Sequence, residues 1–173
     1  MDWSLRPERP DDDEFLFRLY AESRAAELAV APWTEAQKDA FLHSQFQLQR
    51  SHYRLYYAEA RFDVIEHEGR PVGRLYVHRG AHEIRLMDIA LIPAYRNRGW
   101  GSELIRRLTE EAEADSKTIS LYVEADNPAR RLYGRMGFRP IGEHGPYLLM
   151  ERRPASNAGS APAVADQPGD TGG

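Results

Sequence analysis

The sequence predicts a single mixed α/β domain, a twisted sheet of about six or seven strands flanked by about four helices. Three observations carry that prediction. Two β-rich runs separated by Glu68-Gly69 form a hairpin pattern mid-chain. Helical and extended periodicities alternate after it. Finally, 42% of the 173 residues are apolar and 29% charged, the balance of one conventional core.

In chain order, residues 3–7 read as a short edge strand. Asp11 with Glu14 three residues later has the form of a capping box opening a helix over 11–27, with Phe15, Leu16, Leu19 and Tyr20 at helical spacing. Pro32 and Trp33 interrupt. Thr34-Glu35-Ala36-Gln37 then repeats the box ahead of Phe41, Leu42, Phe46 and Tyr53 on a second helix. From Arg61 the period changes: 62–66 and 71–77 are the hairpin strands, and 84–91 extends the sheet. Residues 102–114 are an amphipathic helix, with Leu104, Ile105 and Leu108 on one face and Glu110, Glu111 and Glu113 on another. A strand over 118–123, a short helix opening at Asn127-Pro128 and stopping before Gly137, and a last strand near 147–150 complete the order. The domain is thus 3–153. Residues 154–173 lack Leu, Ile and aromatic side chains and are mostly Ala, Gly, Pro and Ser, a disordered tail by composition.

A net charge of -4 and a pI near 5.9 give no general attraction to nucleic-acid backbones or anionic membranes, and neither partner is expected. The absence of cysteine excludes disulfides, thiolate metal sites and cysteine nucleophiles. No segment approaches the ~20 apolar residues of a spanning helix, and the reading is a soluble cytoplasmic protein. His78 and His82 stand four apart beside Glu83 at a strand end and loop, with no further ligands in register, so no metal is expected.

The stretch RNRGWG, Arg96 to Gly101, joins the strand over 84–91 to the helix over 102–114. The first turn of a helix exposes unpaired N–H groups and the positive end of the helix dipole, and glycines at 99 and 101 let the backbone approach an anion. The stretch lacks the three glycines of the dinucleotide fingerprint and the Gly-Lys-Ser/Thr of a P-loop. By itself it fits both an ordinary turn and a phosphate cradle. Together, residues 88–105 (DIALIPAYRNRGWGSELI) and 127–138 (NPARRLYGRMGF) resemble the GCN5-related N-acetyltransferase (GNAT) family, with the likeness strong over roughly 71–152.

That resemblance implies a fold in which two parallel strands, here 84–91 and 118–123, splay to hold the pantetheine arm of acetyl-CoA. It implies an enzyme that passes acetyl from this cosubstrate directly to a primary amine of a small molecule or peptide, without a covalent enzyme intermediate. Backbone groups of Ile89, Ala90 and Leu91 would bond the pantetheine. The backbone of Asn97, Arg98, Gly99, Trp100, Gly101 and Ser102 would wrap the diphosphate, with Arg96 at the basic or Gln position that opens the motif. Tyr133 matches the family's proton donor to the departing thiolate, and a backbone N–H at Leu91 or its neighbour would polarise the carbonyl. Asn127 lies six residues before Tyr133 where many members have Asn seven before; a cofactor contact and a helix-opening role both stay open for it.

An amine with a pKa of about 10.4 is neutral in only about one molecule in a few thousand at pH 7, so the chemistry wants a base or a water relay. Asp88 is the first candidate, with Glu83, Glu66 and the histidines behind it; the position where many members carry Glu falls at Arg85. A strand carboxylate bonded to backbone or to an arginine is the other reading of Asp88. One or two of Arg106, Arg107, Arg130, Arg131, Arg135 and Arg139 are candidates for the ribose 3'-phosphate of CoA. Glu27, Trp33, Gln45, Gln49, Arg50, His52 and Tyr53 are candidates for acceptor recognition. Small domains of this kind often pair, which makes a homodimer an expectation. The rival functional class is a non-catalytic acyl-CoA-binding sensor.

Overall fold

The computed structural model describes residues 2–155; the tail expected over 154–173 lies outside the described residues apart from Pro154 and Ala155. Those two belong to the packed body: Pro154 is buried, and the Ala155 N–H donates to Glu113 Oε1 at 3.1 Å. The elements are β1 (Trp3–Pro7), α1 (Asp13–Ser23), α2 (Ala25–Ala29), α3 (Glu35–Tyr56), β2 (Arg61–His67), β3 (Arg70–Arg79), β4 (Glu83–Leu91), α4 (Trp100–Ala114), β5 (Thr118–Glu124), α5 (Ala129–Arg135), β6 (Arg139–His144) and β7 (Tyr147–Arg152). The seven strands form one sheet in the order β1-β2-β3-β4-β5-β7-β6, in which β4 and β5 are the parallel pair.

The hairpin forms as expected. Glu68 and Gly69 both take positive φ, 52° and 75°, the conformation that lets a two-residue turn match strand twist. The box at Thr34 forms too: Thr34 Oγ1 accepts from the Gln37 N–H at 3.1 Å, and Gln37 Oε1 from the Thr34 N–H at 2.9 Å.

Three details depart from expectation. The first helix does not open on an Asp11–Glu14 box. Asp12 instead accepts from the Arg9 N–H at 2.7 Å and takes both ends of the Arg6 guanidinium at 2.7 and 2.8 Å. A bidentate charge-assisted pair outweighs a single cap bond, and it holds the Asp12 carboxyl below the usual range. The helix also stops at Ser23 and restarts at Ala25. The last departure is β6, which periodicity missed. All its residues are exposed, it contains Pro140 and Gly142, and it pairs as an edge to β7 alone, so it carries no alternation to read.

The main core lies between the sheet and α4, where Ile65, Val77, Ile84, Ile119 and Leu121 meet Leu104, Ile105, Leu108 and Ala112. Each such large side chain contributes about 1.5–3 kcal/mol on burial. On the opposite face α1 and α3 cover the sheet: Leu16, Tyr20 and Phe46 pack on Val64, and Tyr53 and Tyr57 on Tyr76 and Met87. No helix of the described residues is long and apolar enough to cross a membrane.

Candidate active site

β4 and β5 share only three residue pairs, Glu83↔Thr118, Ile84↔Ile119 and Arg85↔Ser120, and then part. The cause sits on the other side of β4. Tyr76 of β3 faces Asp88 while Val77 faces Leu86, so Met87 is the extra residue of a β-bulge, and a bulged strand bends. A narrow cleft opens beyond the last pair. It is lined by residues 86–89 of β4 and 121–124 of β5, with Asn127 and Tyr133 at its mouth.

Local chain chemistry places Tyr133. Helix α5 ends in a Schellman motif: the Phe138 N–H donates to the Tyr133 carbonyl at 3.0 Å and the Gly137 N–H to the Gly134 carbonyl at 3.1 Å, with Gly137 at φ 94°. The accompanying apolar contact is between the Tyr133 and Phe138 rings, 5.9 Å apart. Burial, and secondarily the Asp88 charge, push the Tyr133 hydroxyl up to about 12, so it is a protonated phenol at neutral pH. Asn127 opens the same helix: its Oδ1 accepts from the Ala129 N–H at 2.9 Å.

Asp88 lines the cleft with a counter-ion behind it. Arg74 of β3 forms an ion pair with it, and both side chains are buried. Arg74 also donates to Gln49 Oε1 of α3 at 3.2 Å and lies 5.0 Å over the Tyr76 ring. Burial alone would push the Arg74 guanidinium down; the Asp88 charge, with Tyr76 and Tyr53, reverses this and the net direction is up. The other carboxylates named from sequence are elsewhere. Glu83 sits at the closed end of the cleft, bonded to Ser120 and to Arg85 at 3.0 Å. Glu66, separated from β4 by β3, pairs with Arg6 at 2.6 Å. Arg85 is buried, donating to Ser120 Oγ at 2.8 Å and lying 5.0 Å over Tyr122. Sequence reasoning missed Arg74 and Glu124; a lone arginine inside the apolar run PVGRLYV was the available sign of the former.

The loop between β4 and α4 is held from three sides. Tyr95 packs on Trp100 at 4.9 Å, both rings meet His67 of β2 at 5.4 and 5.1 Å, and the Tyr95 hydroxyl lies 2.8 Å from His67 Nδ1. Arg96 donates through Nε to the Leu91 carbonyl at 2.9 Å and through its terminal nitrogens to Glu22 of α1. Arg98 donates to the Ala94 carbonyl at 3.2 Å. Asn97 and Gly99 take left-handed φ of 58° and 84°, and Gly99 caps α4, which starts two residues before the expected Ser102. A Cβ built on Gly101 would meet nothing within 4 Å, so the first turn of α4 is open to close approach by a ligand. Glu103 in that turn is drawn down to about 2 by bonds from Arg106 and then Arg107. This arrangement fits a diphosphate on the loop and an extended arm in the cleft.

Acceptor candidates scatter. Gln49 and Tyr53 are buried on the inner face of α3, Arg50 pairs with Asp13 at 2.9 Å, Glu27 with Arg24 at 2.8 Å, and Trp33 packs on Phe41 at 5.1 Å. Gln45 and His52 stay partly exposed. Arg130 and Arg131 border a depression beside α5, whereas Arg106 and Arg107 are taken by Glu103. Among the described residues no group of three His, Asp or Glu gathers for a metal.

A model of the acetyltransferase (GNAT) family matches residues 16–138. A Bacillus subtilis (strain 168) protein provisionally described as a ribosomal protein bS18-alanine N-acetyltransferase is 29% identical over 141 residues, 80% of this chain and 82% of that protein. Solved structures share the fold. The PaiA N-acetyltransferase of Thermoplasma acidophilum, in complex with coenzyme A, is 18% identical with a TM-score of 0.65 over 88% of this chain and 99% of that one. The Vibrio cholerae spermidine N-acetyltransferase, with CoA and spermine, is 18% identical with a TM-score of 0.60, over 88% and 95%. The Escherichia coli ribosomal-protein-S18-alanine N-acetyltransferase is 16% identical with a TM-score of 0.58, over 92% and 99%.

Proposed function

Since the chain belongs to the acetyltransferase (GNAT) family, we propose that it moves an acetyl group from acetyl-CoA directly to a primary amine of a small molecule or peptide. The observation that carries this reading is a buried phenol, Tyr133, bordering the same cleft as the Asp88 carboxylate just past the last β4–β5 pair. Bound acetyl-CoA supplies the reactive thioester. The backbone of Asn97 to Ser102 would hold its diphosphate, with Arg96 at the loop's entrance, and residues 89–91 its pantetheine. A backbone N–H at Leu91 or its neighbour would serve the carbonyl oxygen. Tyr133 holds the proton that a leaving thiolate requires. Asp88, ion-paired with Arg74 and lining the cleft, attracts and orients the ammonium, and the amine's proton leaves to Asp88 or through water in the cleft.

The amine acceptors in the relatives' names, a ribosomal-protein alanine and spermidine, support an amine acceptor here and divide between peptide and polyamine. The deciding assay measures CoA release from acetyl-CoA with the whole chain and a panel holding Ala-initiated peptides, polyamines and free amino acids, followed by mass spectrometry of the pools. Turnover with at least one amine is expected. Tight acetyl-CoA binding with no turnover across the panel would leave a sensor instead.

A further inference from the structure

We propose that Glu22 is an intramolecular stand-in for the cofactor's diphosphate on Arg96, so that cofactor binding displaces Glu22 and frees the C-terminal end of α1. The proposal rests on the cofactor-loop reading above. Arg96 opens the loop, and its direction is set by one bond, from Nε to the Leu91 carbonyl at the end of β4. The fork of its two terminal nitrogens is then free to take an anion. What it takes is the carboxylate of Glu22, from a helix 74 residues earlier in the chain, with Nη1 at 3.0 Å from Oε1 and Nη2 on Oε2. A guanidinium fork matches a carboxylate and a phosphate equally well, and it cannot serve both through the same pair of N–H groups.

Magnitude decides which anion wins. Both side chains of the pair are about 40% exposed, 41% for Arg96 and 40% for Glu22, and an ion pair so open to water is screened and weak. A diphosphate on the loop brings more charge than one carboxylate, and it also meets the positive end of α4, where there is room beside Gly101. The trade therefore runs toward cofactor. This pair is what ties Glu22 to the loop, and α1 ends at the very next residue, Ser23, before the helix breaks at Arg24. Releasing Glu22 thus unfastens α1 at its natural joint. Because Leu16 and Tyr20 keep the body of α1 packed on Phe46 and Val64, the release reaches only its C-terminal end.

Isothermal titration of acetyl-CoA into four proteins tests this: the parent chain, Glu22→Gln, Arg96→Gln and the double variant. Both positions are at the surface, so all four should fold. Arg96→Gln should weaken binding. Glu22→Gln should tighten it about two- to fivefold, the worth of an exposed ion pair, and should change nothing in the Arg96→Gln background. Unchanged or weaker binding by Glu22→Gln, with Arg96→Gln still weakened, overturns the stand-in and leaves the loop reading intact. Parent affinity in Arg96→Gln removes Arg96 from the cofactor site, and the stand-in with it.

Discussion

Tyr133 keeps its proton chiefly because water cannot reach it, with the nearby Asp88 charge acting in the same direction. The sign is simple: a phenol moved from its ordinary 10 up to about 12 stays a donor through the whole range in which an amine substrate becomes neutral. The parent enzyme should therefore show no alkaline loss from Tyr133 below about pH 11. Tyr133→Phe should lower kcat by about 10²-fold, while the acetyl-CoA dissociation constant shifts less than about twofold. Stopped-flow turnover alongside calorimetric binding checks both, and an unchanged kcat would remove Tyr133 as the acid. The ring's position is a property of its neighbours, since the Gly137 turn and the Phe138 contact hold the last turn of α5.

Among elements, β3 and β4 are crowded at the C-terminal end of β4, just past the residues that line the cleft. A Cβ on Gly73 would sit 2.3 Å from the Ala90 carbonyl oxygen and 2.8 Å from Leu91 Cδ2, and backbone at that distance has to move. Gly73→Ala should therefore push Ala90 and Leu91 outward, costing about 1–3 kcal/mol of stability and weakening acetyl-CoA binding. Thermal melting and titration of the same sample check the two effects, and wild-type values in both would show that β4 tolerates the shift. Elements with strong periods, α3, α4 and the β2–β3 hairpin, were legible in sequence because local pattern and tertiary role agree there. β6 was not, since an exposed edge has no face to reveal. The same contrast governs the site. The loop and Tyr133 are short local motifs and could be read; the Arg74–Asp88 and Arg96–Glu22 pairs are chosen by tertiary proximity, which spacing does not encode. Of the two readings of Asp88, the pairing with an arginine is present in the fold, and a part in catalysis is compatible with it.

At the scale of the molecule, β1–β4 and β5–β7 are two plates of one sheet held by three residue pairs and by α4 packed across both. A ligand lying along the open part of that seam binds the folded state and not the unfolded chain. At a hundred times its dissociation constant acetyl-CoA should add ~2.7 kcal/mol, a rise in Tm of roughly 5–10 °C. Differential scanning calorimetry over a cofactor series measures this, and a flat Tm would argue against cofactor binding at the seam.

The short seam also makes the molecule divisible. The residues that line the cleft and form the loop fall within 86–133, whereas α1–α3 end at Tyr56. The first 60 residues can therefore be exchanged for those of another member with every residue of the loop and the cleft left in place. The graft has to keep the bonds by which those residues hold the sheet, Arg6 with Glu66 and Gln49 with Arg74 among them.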